Sequence, residues 1–153
     1  MPKIYTFLKE AGYAEEQDWL AQRLALADDP TPVIFEAALA ERSPNKLCSA
    51  AVRTFVSILG SEAGNLTLKV MATGGVYIAG GIPPRILPIF DRERDLILNS
   101  FYNKGIMTEM LSNVPIHVIT DRFLALRGAA YYKLESIKEK PGYRRRNSEK
   151  IVM

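Results

Sequence analysis

The segment GGVYIAGGIPPR, residues 74–85, sets two glycine pairs on either side of a β-prone run and follows them with two prolines and an arginine. Bare backbone at both ends of a strand suits close approach by a ligand, because a missing Cβ lets a flat or charged group rest on the peptide itself. Two phosphate-binding arrangements fail on residue order. A P-loop needs a lysine and a hydroxyl behind its glycines to reach the phosphates and a metal, whereas Ile82, Pro83 and Pro84 follow Gly80 and Gly81. A dinucleotide fingerprint needs G-x-G-x-x-G opening a helix, and these glycines instead precede and follow the strand. What remains is a glycine pair at the C-terminal end of a strand, where ligands of open α/β sheets bind. A tight strand-to-helix turn with no ligand satisfies the same pattern.

Other chemistry-bearing residues form no constellation. His117, the single histidine, is centred in the apolar run PIHVIT and reads as a structural imidazole. Cys48, the single cysteine, excludes an internal disulfide and reads as a small buried apolar residue. Asp91, Glu93 and Asp95 alternate with arginines in the manner of a solvated face, and Asp28 and Asp29 beside prolines read as a helix end. No catalytic triad, zinc motif or paired-carboxylate motif is visible, so no catalytic residue and no metal ligand is assigned.

The elements that position the glycine segment follow from periodicity. Ile4, Phe7, Leu8 and Ala11 recur at helical spacing, with Gly12 as a stop. Trp19, Leu20, Leu24 and Leu26 form the expected apolar face of a second helix, with Glu15, Glu16 and Asp18 in its first turn. A third helix is expected from Thr31, with Pro32 at its first position, to about Arg42. The longest pattern runs from Lys46 to Ala72 and is rich in Cys48, Ser49, Ala50, Ala51, Ser57, Gly60 and Gly64. These small side chains predict a central helix packed closely on others, either continuous or divided at Gly60 or Gly64. Beyond it, Val76 to Ala79 predicts a buried strand. Pro83 and Pro84 suit a helix start, Pro88 argues against an unbroken helix, and Asp91 to Tyr102 and Met107 to Ser112 predict two more helical stretches. A second strand is expected over 115–120 and a final helix from Asp121, as N-cap, to Ser136, with Phe123, Leu124, Leu126, Ala130 and Tyr131 facing inward. Strands each followed by a helix predict an α/β layer with parallel pairing. Two strands alone make a marginal sheet, which implies that further strands belong to it.

Composition bounds the rest. With 48% hydrophobic and 24% charged residues, the 153-residue chain suits one globular domain. The net charge of +3 is unevenly placed: residues 136–153 carry +4 and residues 1–135 carry −1. The tail therefore reads as a basic, disordered segment, not as a nucleic-acid or membrane contact, and the domain as residues 1–135. No apolar run approaches the length of a membrane span and no signal-peptide core is present, so a cytoplasmic location is expected.

Residues 64–90, GNLTLKVMATGGVYIAGGIPPRILPIF, closely resemble the C-terminal part of bacterial glucokinases, ATP-dependent hexose kinases of the actin-like ATPase superfamily. FYNKGIMTEMLSNVPIHVITDRFLALRGAAYY, residues 101–132, is similar to that family's basic G-x-M segment, its P-[IV]-x-[VL]-[IV] strand and its closing L-x-G-A-A helix, and MPKIYTFL is similar to the helix after its L-S-G-x-G sugar-site segment. The resemblance implies an α/β fold, the C-terminal half of an actin-like (ribonuclease H-like) ATPase, helix-rich with a small, mostly parallel sheet remnant. It implies ATP and Mg as cofactors, with Gly80 and Gly81 against the adenine and ribose, Gly74 and Gly75 shaping the strand entrance, and Ile82 beside the base. Leu126, Gly128 and Ala129 would serve packing in the closing helix. A homodimer is also implied. The family's first phosphate loop, its catalytic aspartate and its glucose-binding glutamate and histidine have no counterpart here. The expectation is thus a glucokinase C-terminal portion with little or no activity alone, the alternative being a non-catalytic interaction or complementation module.

Overall fold

A computed structural model of the chain describes residues 1–138; residues 139–153, most of the expected basic tail, lie outside the described residues. The first helices are α1 (Pro2–Glu10), α2 (Asp18–Leu26), α3 (Pro30–Leu39) and α4 (Lys46–Val70). Then come β1 (Val76–Ile78), α5 (Pro83–Arg92), α6 (Arg94–Tyr102), a 3-10 turn (Gly105–Met107), α7 (Thr108–Ser112), β2 (Ile116–Val118) and α8 (Leu124–Lys138).

Helix α4 is the axis of the molecule, with α1 and α3 on one side and α6 on the other. Asn45 starts it: the side-chain Oδ1 accepts the Cys48 N–H at 3.0 Å, and the amide nitrogen donates to Gln17 Oε1 at 3.2 Å, which ties the cap to the start of α2. One face of α4 buries Leu47, Cys48, Ala51, Val52 and Val56 against Leu20, Ile34 and Phe35. Its C-terminal half contributes Ala63 to a smaller cluster with Phe101, Leu111 and Val114. The helix is continuous through both internal glycines because α6 lies almost on them. A Cβ on Gly60 would fall 2.6 Å from the Ile97 carbonyl oxygen, and one on Gly64 would fall 2.5 Å from that of Phe101. Glycine here lowers helix propensity by about 1 kcal/mol relative to alanine, in exchange for backbone contact between two helices.

Several local expectations change in the folded chain. Helix α3 starts two residues earlier than Pro32, because Asp29 caps it by accepting the Thr31 N–H at 2.9 Å; this makes Asp29 a helix start instead of an end. Helix α5 runs through Pro88 and stops at Arg92. The bond lost at Pro88 is to the Pro84 carbonyl, in the first turn, and Pro88 is exposed, so only one solvent-near acceptor is affected. In α2 only Leu20 is buried, while Trp19 and Leu26 face solvent; Glu15 and Glu16 precede the helix and do not belong to its first turn.

The two strands pair in parallel, Val76 with Ile116, Tyr77 with His117 and Ile78 with Val118. Ile78 is buried toward the main core, whereas Tyr77 and His117 lie on the exposed face. Strand β1 has a partner on one side only, so the sheet is a two-strand remnant. The larger departure is α8. Phe123, Leu124, Leu126 and Tyr131 were expected to face inward, yet all are exposed, as are Ala130, Tyr132 and Leu134. Asp121 does not cap α8 directly but accepts the Phe123 N–H at 2.9 Å in the turn before it. A helix rich in apolar residues on more than one side is normally buried, yet residues 124–134 of this one are exposed and only 135–137 are half-buried.

Candidate functional site

The site is built by β1 and the turn that leads into α5. Parallel pairing with β2 sets the strand direction, Val76 N–H donating to the Pro115 carbonyl at 2.9 Å and Ile119 N–H to the Ile78 carbonyl at 2.9 Å. The chain then leaves the C-terminal end of the strand through Ala79, Gly80 and Gly81 and enters α5 at Pro83, whose fixed φ suits a first helical position.

The four glycines divide into two kinds. Gly75 has φ +130, and a Cβ there would lie 3.3 Å from both Pro115 Cγ and the Pro115 carbonyl oxygen, so this glycine is required by the packing of β2 against the strand entrance. Gly74, in the preceding turn, meets nothing within 4 Å. Gly80 adopts φ +122, a conformation open to glycine and strained for other residues, and yet a Cβ there would meet nothing within 4 Å. Gly81 is likewise open, without the positive φ. Both are exposed. The backbone after β1 is therefore a bare shelf at the C-terminal end of a parallel pair, and protein packing does not account for the absence of side chains on it. Ile82 is half-buried against the main core just behind the shelf.

Two features beside the shelf are not legible in the sequence. Tyr77 and His117 stack, ring centroids 4.8 Å apart with an interplanar angle of 17°. His117 is thus an exposed ring on the open sheet face and not a core imidazole; alternation along β2 was the available signal, since His117 is out of phase with Ile116 and Val118. Arg85, exposed in the first turn of α5, lies near Asp29. The Asp29 carboxyl is held below its usual range chiefly by the Thr31 hydrogen bonds, with Arg85 adding to the effect.

Elsewhere, polar groups serve the fold. Tyr5 Oη donates to Glu16 Oε1 at 2.8 Å and Lys9 pairs with the same carboxylate, closing the loop between α1 and α2. Burial and the Glu16 carboxylate push the Tyr5 phenol far above its usual value, while Lys9 holds Glu16 below its own. Cys48 is fully buried, and desolvation pushes its thiol up to about 12, as expected of an inert core residue. Among the described residues no group of three or more His, Cys, Asp or Glu could hold a metal ion. No described helix is long and apolar enough to cross a membrane.

A helical layer against a parallel pair, with bare backbone beyond the strand end, is the arrangement of an open α/β sheet, a class in which ligands lie beyond the strand ends. The glucokinase family model matches residues 1–136. A glucokinase from Nostoc sp. is 36% identical over 137 residues, covering 83% of this chain and 39% of the relative. One from Chromobacterium violaceum is 43% identical over 83 residues, 54% of this chain and 23% of the relative. Among solved structures, a glucokinase from an Antarctic psychrotroph superposes with a TM-score of 0.59 at 29% identity, over 86% of this chain and 37% of that one. The fold is the C-terminal part of an actin-like ATPase, helix-rich with a small parallel sheet remnant. The chain belongs to the glucokinase family. It spans about two fifths of the length of the Nostoc glucokinase.

Proposed function

We propose that this chain supplies the adenosine side of the ATP site of a glucokinase and has little or no kinase activity alone. The family reaction is ATP-dependent phosphorylation of glucose to glucose 6-phosphate. The observation that carries the reading is the open backbone at Gly80 and Gly81, one of them at a positive φ, with nothing within 4 Å of either Cβ position. In this reading Gly80 and Gly81 take the adenine and ribose, Gly74 and Gly75 shape the strand entrance, and Ile82 flanks the base. Phosphoryl transfer needs a metal-phosphate clamp and a base held together in one geometry. Among the described residues no group of three or more His, Cys, Asp or Glu could hold a metal ion, and in this reading the part played by this chain is nucleotide positioning.

Isothermal titration with ATP tests this. Binding at millimolar concentrations is expected, with no ADP release when glucose is added to a coupled assay. Gly81→Val is the diagnostic variant, because nothing within 4 Å opposes a side chain there and the backbone is not in the left-handed region. It should fold normally and weaken ATP binding at least tenfold. Unchanged affinity would remove the shelf from the site, and turnover near that of an intact hexose kinase would remove the claim of inactivity.

The open edge of β1 favours a second reading, a module that completes its sheet with strands from a separately supplied N-terminal portion. Strand addition to an exposed edge is a standard mode of association. Absence of ATP binding at millimolar concentrations, together with complex formation with a glucokinase N-terminal portion, would select it.

A further inference from the structure

We infer that Arg85 meets the anionic end of the nucleotide, its guanidinium taking a phosphate of the ligand whose adenosine lies on Gly80 and Gly81. The inference rests on the nucleotide reading of the shelf. Arg85 is the only charged residue between Ala79 and Phe90, so the shelf and the first two turns of α5 hold one charge, and it is positive. It also lies on the shelf's side of the helix. Ile82 already has helical angles, φ −85 and ψ −44, so Gly81 and Arg85 are related as i and i+4, neighbours on one face. Gly81, Arg85 and Pro88 are exposed, whereas Pro83, Ile86 and Ile89 are buried, which marks that face as the outer one. The Cα–Cβ bond of a helical residue tilts toward the N-terminus, so the Arg85 side chain starts back toward Gly81 across about one turn, ~6 Å.

The start of α5 leaves this task to a side chain. A helix N-terminus ordinarily offers unpaired N–H groups to an anion. Here the first two positions are Pro83 and Pro84, which have no N–H, and the Arg85 N–H donates to the Ile82 carbonyl at 2.8 Å. The backbone positions that would open a phosphate cradle are therefore closed, and a planar guanidinium with five donors is the group suited to a phosphate. That guanidinium is available. Asp29, the cap of α3, is a carboxylate within electrostatic reach of Arg85, and one of its oxygens accepts the Thr31 N–H. Arg85 forms no salt bridge with Asp29 or with any other described residue, so its donors are open to a ligand.

Calorimetric titration of the full chain with adenosine and with ATP, at low and at high salt, separates the phosphate contact from the shelf. The parent should bind ATP more tightly than adenosine at about 50 mM salt, and the preference should shrink at about 500 mM, where exposed charges are screened. Arg85→Ala should weaken ATP about tenfold at low salt and remove the salt dependence, with adenosine affinity within about twofold of the parent. Arg85→Lys keeps the charge and should retain part of the ATP preference. Arg85 is exposed, so the variants should fold, which thermal melts by circular dichroism check. Gly81→Val, by contrast, should weaken both ligands alike. Unchanged ATP binding by Arg85→Ala overturns the inference and leaves the shelf standing, as does a parent that binds adenosine as tightly as ATP. An Arg85→Ala chain that loses adenosine as strongly as ATP also overturns it, because the residue would then act on the base or the fold. If the parent binds neither ligand at millimolar concentrations, the nucleotide reading itself falls and the inference with it.

Discussion

Gly64→Ala tests the central packing of the fold. In an isolated helix the change would stabilise by about 1 kcal/mol, because alanine loses less conformational freedom than glycine. In this chain the new Cβ would sit 2.5 Å from the Phe101 carbonyl oxygen and 3.0 Å from Lys104 Cε. The lysine can swing away at little cost; the carbonyl belongs to the α6 backbone and cannot. Relief requires α6 to move outward by nearly an ångström, which pulls on the Ser57–Ser100 hydrogen bond of 2.9 Å and the Lys104–Ser61 hydrogen bond of 2.9 Å. Overpacking that forces backbone shifts costs up to about 3 kcal/mol. Subtracting the propensity gain leaves a net loss of about 2 kcal/mol. Urea denaturation followed by circular dichroism should show the midpoint lowered by about 1 M, taking a slope near 2 kcal/mol per molar. Asn65→Ala, exposed and one residue further on, is the control and should stay within about 0.5 kcal/mol of the parent. If Gly64→Ala proved as stable as Asn65→Ala, or more so, the close approach of α4 and α6 would be refuted.

Two further outcomes follow from buried and paired groups. Cys48 should be inert to a thiol reagent at pH 8 in the folded chain and react fully once unfolded, and its raised pKa makes stability decline as pH rises from the free-thiol value of about 8.5 toward about 12; rapid native reaction would show that the core between α3 and α4 opens. Glu16 has a folded pKa below its unfolded value, so its contribution is present above about pH 4.5 and lost as pH falls through the folded value. Glu16→Gln should therefore lose stability at pH 7 and show a shallower acid-side decline than the parent in thermal melts between pH 3 and 6; parallel curves would exclude the Lys9–Glu16–Tyr5 linkage as the cause.

Much of the architecture was legible because it is written in local pattern. The small residues from Cys48 to Gly64 announced a closely packed helix, and α4 is that helix. The β-prone run Val76 to Ala79 and the run 115–120 marked the strands, and proline after the second glycine pair marked the start of α5. The glycine order excluded two phosphate cradles without any coordinates. Failures were concentrated where a neighbour, not the local pattern, decides. Pro88 does not break α5, against the expectation from sequence, because the bond it forfeits falls in the first turn of the helix. Asp29 and Asp121 illustrate the same limit, since the side chain of either can serve a cap or a turn depending on one backbone angle.

The amino-acid sequence alone determined the element types, the order of strand and glycine, the inert cysteine and the family resemblance, because periodicity and residue order are properties of neighbouring positions. Tertiary structure decided what each of those residues meets. It separated Gly75, pinned by Pro115, from Gly80 and Gly81, which face open space, although all three read alike in the chain. It turned His117 from an expected core residue into an exposed partner of Tyr77. It also showed that Leu124, Leu126, Tyr131, Tyr132 and Leu134 of α8, apolar enough to be read as buried, are exposed. Hydrophobicity states that a surface is better removed from water; only the arrangement of the whole chain states what removes it.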